Sequence, residues 1–84
     1  MLSAEVIDAL TKALGEPTGG FATMKHPTWD DHWTIDCVYS NREICLEAFG
    51  ANVYVHVFGK TEDSDMTYLV KGVDELVAAV RRKL

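Results

Sequence analysis

The stretch from Trp33 to Phe58 constrains the fold more than any other part of the chain. Trp33, Ile35, Cys37 and Tyr39 alternate with Thr34, Asp36, Val38 and Ser40. Ile44, Leu46 and Ala48 alternate with Glu43, Cys45, Glu47 and Phe49, and Val53, Val55 and Val57 with Asn52, Tyr54, His56 and Phe58. A period of two sends successive side chains to opposite faces of a strand, so each run has one apolar face and one mixed face. Short hairpins between the runs give a three-stranded antiparallel meander.

Register follows from keeping the three apolar sets on one side, because a slip of one residue would flip every side chain. Gly50-Ala51 suits a two-residue type II′ turn with glycine first. It pairs Phe49 with Asn52, Ala48 with Val53, Leu46 with Val55 and Cys45 with His56. An even-length loop around Asn41-Arg42 pairs Tyr39 with Ile44, Cys37 with Leu46, Val38 with Cys45 and Asp36 with Glu47. This puts Cys37 and Cys45 on opposite faces, where no disulfide can join them. Both are expected to be free thiols, and without a CxxC pair neither a redox motif nor an ordinary structural zinc site is expected.

Helices are expected at both ends. Val6, Ile7, Leu10, Ala13 and Leu14 make an apolar stripe at helical spacing over Ala4 to Leu14. Ser3 is placed to cap it, and Gly15 and Pro17 to end it. A second helix is expected from Asp74 to about Lys83, its stripe being Val73, Leu76, Val77 and Val80. Asp74 and Glu75 in its first turn, and Arg81, Arg82 and Lys83 in its last, complement the helix dipole. Between the first helix and the meander, residues 15 to 32 read as a long connection marked by Gly15, Pro17, Gly19, Gly20 and Pro27. Phe21 to His26 is a candidate short edge strand, and the segment is expected to pack through Phe21, Met24 and Trp29. Gly59 to Asp65 reads as an acidic loop and Thr67 to Lys71 as a possible short extra strand. The expected architecture for residues 1–84 is a single α+β domain, a two-layer sandwich with both helices on one sheet face, in the order α-β-β-β-(β)-α.

Composition narrows the function. In 84 residues, 8 Lys and Arg stand against 13 Asp and Glu, a net charge of −5. That balance disfavours direct binding to a nucleic-acid backbone, which needs a cationic footprint. No apolar run approaches the roughly 20 residues that span a bilayer, so no membrane role is expected. The first five residues lack a basic stretch ahead of an apolar core, so no signal peptide is expected and the chain reads as cytoplasmic.

If both helices cover the valine-rich face, the other face carries Asp36, Val38, Glu43, Cys45, Glu47, Phe49, Tyr54, His56 and Phe58. Three aromatics stand there among three carboxylates, and aromatic residues are enriched in binding patches. The competing expectation is that residues 15–32 fold across this face and hide Phe49 and Phe58. Two constellations there bear on chemistry. Cys45 and His56 are cross-strand neighbours, the minimum for a thiolate nucleophile. No oxyanion hole is evident, and nearby carboxylates raise a thiol pKa. The segment His26-Pro27-Thr28-Trp29-Asp30-Asp31-His32-Trp33 holds metal-ligand types, but not at the spacing of a helical His-x-x-x-His pair.

The leading expectation is therefore a non-enzymatic protein-binding module without a cofactor, an inhibitor or adaptor that occupies a basic surface of a partner protein. Its contact residues would be Asp30, Asp31, Asp36, Glu43, Glu47, Phe49, Tyr54, His56 and Phe58. In size and charge alone, the profile is that of phage-encoded antagonists of host defence such as anti-CRISPR proteins. Two alternatives stay open. One is a small metal protein or enzyme that uses the His26–His32 segment or Cys45 and His56. The other is a homodimer or larger homo-oligomer paired through the aromatic sheet face.

Overall fold

A computed structural model describes residues 1–59 and 66–84. The elements are α1 (Ser3–Leu14), β1 (Ala22–Lys25), β2 (His32–Tyr39), β3 (Arg42–Phe49), β4 (Asn52–Phe58), β5 (Met66–Val70) and α2 (Val73–Arg82). The five strands form one antiparallel sheet in the order β1-β2-β3-β4-β5. The fold is α+β, as expected, but the sheet has five strands where the alternation revealed three. Both edges were weak signals for a physical reason. All four residues of β1 are exposed, and only Val70 of β5 is buried, so neither strand shows a clean inside-outside alternation.

The core lies between one sheet face and the two helices. Ile35, Ile44, Leu46, Val55 and Val57 from the central strands meet Val6 and Leu10 of α1 and Leu76, Ala79 and Val80 of α2. Arg81 of α2 donates from Nη2 to the Ala13 carbonyl at 3.1 Å, which joins the helix ends. Among the described residues no helix is long and apolar enough to cross a membrane.

The β3–β4 register is the expected one, with Phe49 opposite Asn52, Ala48 opposite Val53, Leu46 opposite Val55 and Cys45 opposite His56. Gly50 takes φ 64, the left-handed value that the first position of this turn requires. The β2–β3 register differs from expectation by two residues. Tyr39 pairs with Arg42, Cys37 with Ile44, Asp36 with Cys45 and Thr34 with Glu47. The turn is Ser40-Asn41, with φ of 52 and 63. Two successive positive φ values make a type I′ turn, whose twist matches that of the flanking strands. A shift of two keeps every side chain on its face but changes its neighbours, so Asp36 does not face Glu47. Cys37 is buried on the helix side, Cys45 lies on the other side, and both thiols are free.

Three local expectations are corrected. Ser3 does not cap α1. Leu2 holds the extended position before the helix, no side-chain cap bond forms, and Ser3 is buried as the first helical residue. Met24 and Trp29 do not pack inward. Pairing of Met24 with Thr34 puts it on the side away from the helices, and Trp29 stands in the β1–β2 connection. Residues 15–32 do not hide Phe49 and Phe58, which remain 53 % and 42 % exposed. Instead residues 15–21 form a strap beside β2, where Thr18 N–H donates to the Val38 carbonyl at 2.9 Å and the Tyr39 hydroxyl donates to the Gly15 carbonyl at 2.9 Å.

Leu46, fully buried at the centre of β3, should be the most sensitive single position. Leu46→Ala is expected to destabilise the protein by roughly 2–5 kcal/mol in denaturant unfolding. Tyr54→Ala, on the opposite face of the neighbouring strand, should cost clearly less. Equal losses at the two positions would contradict a one-sided core.

Candidate functional site

The sheet face turned away from the helices is laid out by the strand register. One row runs Val38, Glu43, Phe58, and the next runs Ala22, Asp36, Cys45, His56, Thr67. A third runs Met24, Thr34, Glu47, Tyr54, Leu69, and the last runs His32, Phe49, Asn52. Of the residues anticipated as a contact surface, Asp36, Glu43, Glu47, Phe49, Tyr54, His56 and Phe58 share this face. Asp30 and Asp31 lie outside the strands, exposed in the β1–β2 connection. The acidic loop residues Glu62, Asp63 and Asp65 fall outside the described residues.

The face has two unlike ends. At the end formed by the β1–β2 connection, aromatic rings gather. His26 stacks on Trp29 with centroids 4.4 Å apart and planes 11° from parallel. Trp29 lies 4.9 Å from His32, which meets Phe49 edge-on at 6.2 Å. The backbone explains the cluster. His26 Nδ1 accepts the N–H groups of Thr28 and Trp29, both at 3.1 Å, and so bends the Pro27 connection back over its own ring. Asp31 carries the Gly50 N–H on its carbonyl and bonds His32 Nδ1 at 2.9 Å through its carboxylate. That imidazole contact holds the Asp31 carboxyl below its usual range. Met24, His26, Pro27 and Phe49 border an apolar hollow of about 380 Å³.

The middle of the face is acidic. Glu47 lies beside Tyr54 and Thr34, with Oε1 3.8 Å from His56 Nε2. His56 Nδ1 bonds the Thr67 hydroxyl at 3.1 Å. The Cys45 thiol donates to Glu47 Oε1 at 3.8 Å. Burial, and then the adjoining Asp36 and Glu47 carboxylates, push this thiol up to about 12. A cysteine so placed stays protonated at neutral pH, and the imidazole across from it is engaged with Thr67. The Cys45–His56 pair therefore lacks the lowered thiol pKa that nucleophilic catalysis needs. Among the described residues no three His, Cys, Asp or Glu side chains converge as metal ligands. In the His26–His32 segment, Nδ1 of each imidazole is already committed, to backbone in His26 and to Asp31 in His32.

Three exposed residues of this surface escaped the sequence reading: Met24, Trp29 and Leu69, at 75 %, 54 % and 46 % exposure. For Leu69 the signal was present, because it alternates with Tyr68 and Val70 and so falls on the Thr67 side. Met24 needed the pairing of β1 with β2, which no local pattern specified.

Comparison with protein-family models, with curated proteins and with solved structures finds no match. The residues of this face are therefore what carries a functional reading.

The thiols offer a direct check on its electrostatics. At pH 8, Cys45 in the folded protein should react with a disulfide reagent far more slowly than an unperturbed cysteine, whose pKa is about 8.5. Asp36→Asn should raise that rate, since it removes the charge beside the thiol. Reaction at the rate of an unfolded cysteine would contradict the acidic, partly buried setting of Cys45.

Proposed function

We propose that the chain is a non-enzymatic protein-binding module, an inhibitor or adaptor, that lays its open sheet face on a basic surface of a partner protein. The observation that supports this reading is the uncovered state of that face. Trp29, Met24, Phe49, Leu69 and Phe58 stay exposed together on one side of a molecule whose other sheet face buries its central apolar residues under the helices. Scattered exposed apolar residues are ordinary, but a set gathered on one face and interleaved with polar groups is the character of an interaction site.

Charge selects the kind of partner. Asp36 and Glu47 lie between the aromatic end and Phe58, and Glu43 stands beside Phe58. Pairing this face with a second copy of itself would bring those carboxylates against their own mates, and a phosphate backbone would be repelled likewise. A basic protein surface is attracted and steered toward it. A module of this size and charge suits the role of an antagonist that covers a cationic cleft and thereby keeps the cleft's own anionic ligand out.

With a partner isolated by affinity capture from the native host, association should slow as salt rises, because exposed charges are screened over about 8–10 Å near physiological ionic strength. The double reversal Asp36→Lys/Glu47→Lys should slow association further, while Tyr54→Ala should mainly speed dissociation. An association rate indifferent to salt, together with full binding by the double reversal, would show that the working surface lies elsewhere.

A further inference from the structure

At the end of the open face remote from the aromatic cluster, the strap beside β2 and the ends of β2, β3 and β4 enclose a depression of about 420 Å³. This falls within the range of about 300–1,000 Å³ over which proteins seat small groups. Its floor is Val38 and Cys45. Phe58 stands at one side, directly across the ladder from Glu43. The opposite side is the strap from Thr18 to Phe21 and the start of β1 at Ala22. Gly20 N–H returns to the Pro17 carbonyl at 3.1 Å, and Gly19 and Gly20 take φ of 78 and 79, values that favour glycine. Space around both glycines is open, with no atom within 4 Å of where a Cβ would stand.

Two carboxylates belong to this depression. Asp36 pairs with Cys45, and Val38 pairs with Glu43. Asp36 and Glu43 are thus diagonal neighbours, which places them roughly 7–8 Å apart. Among the described residues neither has a cationic partner. The ion pairs there are Lys12–Asp8, His32–Asp31 and His56–Glu47.

We propose that this depression is the socket for one arginine side chain of the partner, its guanidinium spanning Asp36 and Glu43 with one flat face on Phe58. The proposal rests on the reading of the open face as the docking surface and names its anchor. Arginine fits better than lysine for three reasons. Its planar group presents donors in several directions and so serves two separated carboxylates at once, where an ammonium is a single compact charge. It stacks on an aromatic ring, which Phe58 offers at 42 % exposure. It is also more weakly hydrated than an ammonium, which suits a site half enclosed by backbone and apolar floor. The Cys45 thiol at the floor is raised first by its burial and then by the Asp36 carboxylate beside it, so the same negative charge acts on it too.

The test uses three short probes on the isotopically labelled full chain: acetyl-Gly-Arg-Gly-amide, its lysine analogue and its citrulline analogue. Citrulline keeps the shape of arginine without its charge. Amide shifts at Gly19, Gly20, Val38 and Phe58 should saturate with the arginine probe, weaken several-fold with lysine and vanish with citrulline. Glu43→Gln should weaken arginine binding by about ten-fold, as expected for loss of one charge-assisted hydrogen bond. Phe58→Leu should weaken it by about two- to five-fold, and Asp74→Asn on α2 should leave it unchanged. Both positions in the socket are exposed, so an unchanged melting temperature would verify that the fold is intact. Shifts that fail to saturate, or that are as large at Asp8 and Asp74 as in the depression, overturn the socket. If they do so while partner binding still depends on salt and on Asp36 and Glu47, the docking face stands and only the socket falls. If both fail, the docking face falls with it.

Discussion

The pairing of β3 with its two neighbours is the interaction on which the rest of the molecule depends. This strand carries Ile44, Leu46 and Ala48 to one side and Glu43, Cys45, Glu47 and Phe49 to the other. Once its apolar set is held under α1 and α2, every strand hydrogen-bonded to it has its own faces decided by parity. A slip of one residue would bury two glutamates and expose the core, at a cost no small domain could bear. The chemistry of the open face is therefore specified by the same alternation that builds the core.

How much of this was legible in the sequence differs by element. The two faces of the central strands could be read directly, because each strand is half buried and alternates cleanly. The β3–β4 register could be read too, since Gly50 marks the turn and permits its positive φ. The β2–β3 register was harder. Ser40-Asn41 adopts a turn that usually announces itself with a glycine, and no glycine is there. Parity survived that error, but neighbours did not. Asp36 moved from Glu47 to Cys45 and Glu43 came opposite Val38, while Glu43 faces Phe58 as the expected β3–β4 register already had it. The strap and β1 were the least legible, because backbone bonds to β2 and only two inward side chains, Pro17 and Phe21, fix the strap, and every residue of β1 is exposed.

The open face combines two kinds of attraction at separate places. Its aromatic end is held by local backbone bonding, with His26 and Asp31 folding the β1–β2 connection so that Trp29, His32 and Phe49 share one patch. Its acidic part is held by the sheet, which fixes Asp36, Glu43 and Glu47 on strands rather than on loops. Charge acts at long range and speeds encounter, whereas a desolvated aromatic patch acts at contact and slows departure. On the proposed reading, the charge would recruit a basic partner and the aromatic patch would retain it. Among the described residues, the helices on the opposite side present mainly solvated polar residues such as Asp8, Lys12, Asp74 and Arg82.

The most direct measurement is carboxylate footprinting of the full chain, free and partner-bound, by carbodiimide coupling read out by mass spectrometry. If the open face is the working surface, Asp36, Glu43 and Glu47 should be protected in the complex, while Asp8 on α1 and Asp74 on α2 should label as in the free protein. Protection of Asp8 and Asp74 with unchanged labelling of the three sheet carboxylates would contradict the account.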